Sequence, residues 1–291
     1  MNGRRPAPAA GALCVALVLA ACGVPDDGDG GDRYLPAEEP VRSLTLPFDA
    51  YTLSPFEMRT LDYAEDLLVR DCMRGNGMDW RIVPAPEEEG TDPPHRGRYG
   101  VVETRVAERF GYGATPGSAD EGLVEEVRQD RLTLLATEHR AAYGAEDGAG
   151  CVEEAEAEVT EGVPDLDTDL LNSYIHAGFE ASQAAPEVVG AFAAWSACMA
   201  DRDLEYATPT EASADVRWNG ERDGPTAEEA ATAVADVACK EEASVVGTWR
   251  DAEARAQEEL IEENPADFAL FAQVRHARLE TARTVLERLG T

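Results

Sequence analysis

Four cysteines, and the residues at fixed distances from them, are the part of this chain whose types and spacing bear on chemistry. Cys72-Met73 is followed after five residues by Asp79-Trp80, and Cys198-Met199 after five residues by Glu205-Tyr206. An acid and an aromatic beside a thiol admit three chemical readings: a redox centre, a hydrolase using Asp79 and Glu205, or a ligand platform built from Trp80, Tyr206 and Trp218. No Cys-x-x-Cys spacing supports the first. With 58 acidic residues in 291, carboxylates close in sequence carry no weight for the second. A cysteine followed by Met and an aromatic also suits a disulfide-stapled helical pair with the aromatics packed in its core, and that is the favoured reading. No residue is assigned as catalytic.

A second element of the pattern recurs in the same order: Cys151-Val-Glu-Glu-Ala155 and Cys239-Lys-Glu-Glu-Ala243. The two parts together read as a degenerate internal duplication. Four cysteines allow three pairings, and the duplication selects Cys72 with Cys151 and Cys198 with Cys239. Closing each loop is worth about 4 kcal/mol in the chain-entropy account. Apolar residues at helical steps precede each first cysteine: Leu61, Ala64, Leu68 and Cys72 in one copy, Val188, Phe192, Trp195 and Met199 in the other. Each Cys-Met therefore ends a helix. Gly77 and Asp203, five residues after the cysteine, are types that tolerate the left-handed conformation that closes a helix.

The chain begins with Arg4-Arg5 and an apolar run over residues 9–21, too short to span a bilayer and built like a secretory signal. The run closes in Leu19-Ala20-Ala21-Cys22, which resembles the lipobox of bacterial lipoproteins. In that family the cysteine is diacylated and becomes the first mature residue, so the resemblance implies an anchor at Cys22 in the outer face of the cytoplasmic membrane. Disulfides persist in that compartment. Residues 22–43 begin with an Asp/Gly-rich stretch and read as an acidic tether, whose 21-residue reach is about 25 Å. Asp27, Asp29 and Glu38 have the spacing of a calcium loop, but Asp32 stands where such a loop needs glycine, so the tether reading holds.

Formal net charge is -33, and removing residues 1–21 leaves 23 basic against 58 acidic side chains. Such a surplus excludes nucleic acid, whose binding requires basic phosphate contacts, and argues against lying flat on anionic lipid. Gly-x-Ser-x-Gly, His-Glu-x-x-His, phosphate-loop and dinucleotide signatures are absent. His95, His139, His176 and His276 have no metal-ligand spacing. No cofactor and no metal is expected.

The elements that must position the cysteines are helical. Ser54-Pro55-Phe56-Glu57 is a capping box opening the Cys72 helix, and Pro186 opens the Cys198 helix. Ser118 to Glu121 caps a helix expected to run to about Tyr143. Tyr99, Val101 and Val102 suggest one short strand. Asp165, Asp167 and Asp169 read as a helix start and not a calcium loop, since Leu170 occupies the glycine position. Thr226 to Glu229 starts the longest expected helix, continuing through Val245 and Trp249 to Leu260. Asn264-Pro265 then turns it into a C-terminal helical hairpin. Acids from Asp251 to Glu263 on its first arm are expected to pair with Arg275, Arg278, Arg283 and Arg288 on the second.

The expectation is a mainly α protein: signal 1–21, tether 22–43, a first helical copy 44–163, and a second copy 164–291 with the hairpin. The lead-in from Leu46 to Tyr51, the Cys-Met helices, and Arg98-Tyr99-Gly100 with Phe110-Gly111-Tyr112-Gly113 resemble uncharacterised actinobacterial secreted lipoproteins. That group brings no activity with it. The functional expectation is a lipid-anchored, non-enzymatic envelope interaction module with an envelope protein as partner. The alternatives are a solute-binding lipoprotein and an envelope hydrolase.

Overall fold

The computed structural model describes residues 34–145, 148–220 and 224–290. The lipobox with Cys22 and the Asp27/Asp29 part of the tether lie outside the described residues. The described chain is mainly α, with no strand among its elements. Twelve helices follow in order: α1 Glu39–Arg42, α2 Pro55–Gly75, α3 Thr104–Phe110, α4 Glu121–Arg131, α5 Ala136–Tyr143, α6 Cys151–Val159, α7 Thr168–Ala184, α8 Pro186–Ala200, α9 Pro209–Ser213, α10 Ala227–Glu242, α11 Val245–Glu263 and α12 Pro265–Leu289. Two 3₁₀ turns, Pro47–Ala50 and Val216–Trp218, complete the set.

Local chemistry explains the main starts. Ser54 Oγ accepts from the Glu57 amide at 3.1 Å, and Glu57 accepts in return from the Ser54 amide at 2.9 Å. Asp167 caps α7 by accepting from the Leu170 amide, and Thr226 caps α10 through the Glu229 amide. Both Cys-Met helices end in the same way. The Met78 amide donates to Met73 O and the Gly77 amide to Arg74 O; the Leu204 amide donates to Met199 O and the Asp203 amide to Ala200 O. Gly77 (φ 72°) and Asp203 (φ 61°) are left-handed. These are two Schellman closures, each seating a fully buried methionine.

The cysteines bond as Cys72–Cys151 and Cys198–Cys239, with Cα separations of 5.7 and 5.6 Å. Around each bond the surroundings match in detail. Four residues past the first cysteine, Asn76 Nδ2 lies 3.6 Å from Cys151 Sγ and Arg202 Nη1 lies 2.9 Å from Cys239 Sγ. Three residues past the second, Glu154 and Glu242 approach the first sulfur at 3.5 and 3.4 Å. The helices carrying the second cysteines differ. Cys151 is the first residue of α6, whereas Cys239 sits near the end of α10.

The apolar core has two large parts. In one, α2 packs against α5, α6 and α12 around Leu67, Met73, Trp80, Cys151 and Val285. In the other, α8 packs against α10 and α11 around Trp195, Met199, Tyr206, Cys239 and Trp249, with Tyr99 inserted from the irregular segment before α3. A smaller cluster of Phe48, Phe268 and Phe271 joins the lead-in to the α11–α12 bend. Contacts thus cross the 163/164 boundary, since α3 lies on α10 and α2 on α12.

Four expectations are corrected. The helix expected from Ser118 to Tyr143 is two, α4 and α5, because the chain turns at Leu132-Thr133 and directs Leu134 inward. Leu132 and Leu135 remain 78% and 67% exposed. Ser118 caps nothing there, and its hydroxyl accepts from Arg59 instead. The helix expected from Thr226 to Leu260 is broken by Ser244, which is left-handed at φ 52°, so α12 is the longest. Tyr99, Val101 and Val102 form no strand: Tyr99 ends a run of turns, Gly100 is left-handed, and the segment packs against the α8–α10–α11 core. Finally, the arms of the C-terminal pair meet near Asn264 and then part, α11 onto α7 and α8, α12 onto α2. Among the described residues no ion pair crosses from one arm to the other: Arg275 reaches Glu57, Arg288 reaches Glu158, and Arg283 pairs with Glu280 and Glu287 on its own helix.

The pairing makes the disulfides independent supports of two cores. Replacing Cys198 and Cys239 together by serine is expected to cost about 4 kcal/mol, read as a lower urea midpoint. Non-reducing peptide mapping of that variant should still recover the Cys72–Cys151 crosslink.

Candidate functional site

The residues named from sequence as an aromatic platform are not brought to one place. Trp80 lies in the α2 core, where its Nε1–H donates to Asp66 Oδ1 at 3.0 Å and the Arg131 guanidinium covers the ring at 4.5 Å. Tyr206 lies in the α8 core, its hydroxyl donating to Asp215 at 2.8 Å. Trp218 is near Tyr206 through their shared neighbour Arg217, which sits 4.7 Å over the indole and donates to the Tyr206 hydroxyl. Asp79 and Glu205, the hydrolase candidates, are both exposed in the loops that follow α2 and α8.

The histidines are equally dispersed. His95 bonds Asp49 at 2.7 Å, His139 packs on Tyr143, and His176 approaches Glu180 at 3.2 Å on an exposed face. Among the described residues no group of three His, Cys, Asp or Glu is arranged to hold a metal ion.

What sequence reading missed is a set of buried ionic nodes that hold residues 92–103. On α11, Glu253 is fully buried and accepts from Arg98 Nε at 2.7 Å, Tyr99 Oη at 3.0 Å and Gln257 Nε2 at 2.8 Å. Gln257 in turn accepts from the Phe48 amide. Burial, and then the Glu253 charge, raise the Tyr99 phenol far above its ordinary value. On α10, Asp236 and Lys240 are buried together. Lys240 Nζ donates to Asp236 at 2.9 Å and to Val101 O at 2.9 Å, and Trp195 Nε1–H donates to the same carboxylate at 2.9 Å. Burial raises Asp236 and lowers Lys240. Gly100 is required beside them: its φ is 75°, and a Cβ there would meet Lys240 Nζ at 3.0 Å. In the third node Arg96 joins Asp92, Glu103 and Leu35 O, while Glu103 accepts from the Glu38 amide. Lys240 being the chain's single lysine was the one sequence signal available for any of these.

A groove lies elsewhere. Of about 820 Å³, it is lined by the α3–α4 connection, the outer face of α4, Trp218 and Gly220, and Gly224, Pro225 and Glu229. Phe110 and Trp218 supply aromatic lining, Glu121, Glu125 and Arg128 line it from α4, and Glu229 from α10. The indole of Trp218 is fixed by its Nε1–H donating to Ala212 O at 2.8 Å and by stacking on Tyr112 at 6.1 Å. Its volume falls in the range of small-ligand and peptide pockets.

α4 itself is held mainly by charge. Val127 is its one buried residue. Arg59 binds Asp120 through both nitrogens, Arg81 binds Glu126 and Asp130, and Arg131 binds Asp66. Next to it on α2, burial raises the carboxyls of Asp62 and Glu65; Arg128 partly offsets this at Asp62, while Glu156 adds to it at Glu65. Compared with protein-family models, with curated proteins and with solved structures, the chain matches none.

Two outcomes follow from these groups. Lys240→Met alone leaves Asp236 buried without its cation and is expected to lose about 3–5 kcal/mol, while Asp236→Asn with Lys240→Met should recover most of that in denaturant melts. The second concerns Glu65, whose folded-state proton affinity is raised above that of the unfolded chain. The folded state then binds the proton more tightly, so stability is gained as pH falls through the folded value and saturates below the unfolded one. A series of thermal melts from neutral pH into the carboxylate range should show a smaller gain for Glu65→Gln than for the parent chain.

Proposed function

We propose that this chain is a non-enzymatic binding module of the cell envelope, carried on an acyl anchor at Cys22 and facing outside the cytoplasm, with an envelope protein as its partner. The observation that carries the binding reading is the use of the buried ionisable groups. Asp66, Glu103, Asp236, Lys240 and Glu253 are each spent on an internal partner, while the groove beside α4 presents exposed charge on α4 and aromatic lining from Phe110 and Trp218. Catalytic sites concentrate perturbed groups in a cleft; here the shifted pair among these, Asp236 and Lys240, is closed on itself inside the fold.

Placement rests on Leu19-Ala20-Ala21-Cys22 following a short apolar run, and two disulfides in separate cores agree with an oxidising compartment. No helix among the described residues is long and apolar enough to cross a membrane, so an acyl group would supply the attachment. The acidic balance disfavours nucleic acid as a partner. A solute-binding lipoprotein of the two-lobed kind needs alternating strands and helices, and the described elements are helices and turns.

Metabolic labelling with an alkynyl fatty acid should tag the parent chain in the membrane fraction, and Cys22→Ala should lose both label and sedimentation. Retained label or retained membrane association in Cys22→Ala would defeat the anchor.

A further inference from the structure

The two disulfides share one frame and differ in one charge. Asn76 Nδ2 donates to Cys72 O at 3.1 Å, and Arg202 Nη1 donates to Cys198 O at 2.9 Å, so both side chains cap the same carbonyl of their unit. Both also reach the sulfurs. Asn76 Nδ2 lies 3.9 Å from Cys72 Sγ and 3.6 Å from Cys151 Sγ; Arg202 Nη1 lies 2.6 Å from Cys198 Sγ and 2.9 Å from Cys239 Sγ. A carboxylate stands at the first sulfur of each, Glu154 at 3.5 Å and Glu242 at 3.4 Å. At Cys72–Cys151 it faces a neutral amide. At Cys198–Cys239 it faces a guanidinium whose one ion pair among the described residues, with Glu242, is 3.8 Å long, longer than its contact with either sulfur. Capping the helix end does not require that cation, since Asn76 makes the same cap without one. A cation in contact with sulfur stabilises a thiolate, and a thiol of lower pKa leaves faster in exchange.

We propose that Cys198–Cys239 is a thiol–disulfide exchange site, opened by a protein dithiol and reclosed by the disulfide form of the same class, while Cys72–Cys151 is the permanent bond. Cys198, 7% exposed against 0% for Cys239, receives the attack. A thiolate of the dithiol bonds to Cys198 Sγ, the Cys198–Cys239 bond breaks, and Cys239 leaves as a thiolate 2.9 Å from Arg202. The second thiol of the dithiol then bonds to the first and releases Cys198. Two electrons and two protons have passed from the dithiol to the cysteine pair, and the dithiol has become a disulfide. Cys72 is easier to reach than Cys198, yet attack there brings a thiolate past Glu154 and expels Cys151 beside a neutral amide. The Cys198–Cys239 bond joins the last turn of α8 to α10, so opening it loosens the Tyr99 core and leaves the α2 core stapled.

The probe is dithiothreitol. The full chain in detergent micelles is equilibrated at set ratios of reduced to oxidised dithiothreitol, quenched in acid, alkylated with two isotopic forms of one reagent before and after full reduction, and mapped peptide by peptide. In the parent chain the equilibrium constant for reducing Cys198–Cys239 is expected to exceed that of Cys72–Cys151 by about tenfold or more, about 30 mV for a two-electron couple. Arg202→Asn keeps a carbonyl cap of the Asn76 kind and should lower the Cys198–Cys239 constant by about tenfold, with Cys72–Cys151 unchanged. Arg202→Lys should keep most of the parent's constant, and Asn76→Arg should raise that of Cys72–Cys151. A parent chain that reduces Cys72–Cys151 first overturns the proposal, as does an Arg202→Asn constant equal to the parent's. Urea melts of the oxidised chains separate charge from fold. If Arg202→Lys loses as much of the constant as Arg202→Asn and both lose stability, Arg202 is a cap only and the exchange site is overturned. The same mapping on acid-quenched cells should find Cys198 and Cys239 partly as thiols and Cys72–Cys151 bonded; both pairs fully bonded there overturns the part given to the dithiol.

Discussion

Two buried carboxylates, Asp236 on α10 and Glu253 on α11, fix how the irregular first third of the chain meets the helices of the last third. Neither can be left alone in a core, because an unpaired buried charge costs several kcal/mol. Each is therefore matched by groups from residues 98–101 or from its own helix: Arg98 and Tyr99 at Glu253, Lys240 at Asp236, with Lys240 passing the link to Val101 O. Residues 96–103 have no ladder; backbone turn bonds take the Arg96, Arg98 and Gly100 amides, and Lys240 takes Val101 O. Tyr99 enters the α8 core through this arrangement, and Arg96 extends it to the first described residues through Leu35 O and Glu103. Such nodes give position more than stability, since an apolar triad of the same volume would be about as stable.

The repeated disulfide unit does a different job. A helix ends in a Schellman closure, a buried methionine sits under it, and the bond ties the last turn to a second helical turn marked by two glutamates. This unit is local, so its geometry repeats at both places even though the second helix extends away from Cys151 in one case and into Cys239 in the other. The third helix of each core is also different, α12 for α2 and α11 for α8. Because α12 follows α11 directly, the two cores share one continuous strut, and the bend at Asn264 with its phenylalanine cluster sets the relation between them.

Legibility followed the range of the interaction. Helix class, the capping boxes, the left-handed closures at Gly77 and Asp203 and the two disulfides depend on residues a few positions apart or on a repeated motif, and the sequence displays them. The break at Ser244 was hidden because Val245 and Trp249 keep the helical step across it, so apolar periodicity could not register a change of direction. The turn at Leu132 was hidden for the converse reason: Val124, Val127, Leu132 and Leu135 look like one helical stripe, yet Val127 is buried while Leu132 and Leu135 stay exposed and Leu134 packs inward. The expected charge pairing across the C-terminal arms failed because complementary sequence says nothing about which helix lies alongside which, and α12 found Glu57 and Glu158 before it found α11. The groove was illegible altogether, being formed by segments a hundred residues apart.

The distribution of charge also separates support from recognition. The ion pairs that hold α4 are Arg59 to Asp120, Arg81 to Glu126 and Asp130, and its own Arg131 to Asp66 on α2, and Glu121 and Glu125 take part in none of them. α4 contributes one buried side chain, so its apolar content is small and its place is set by directional, salt-sensitive contacts. A helix attached in this way can shift by fractions of a turn without opening a core. α4, on one side of the groove, is thus placed chiefly by charge, while Trp218 on the other is tied to Ala212 and stacked on Tyr112.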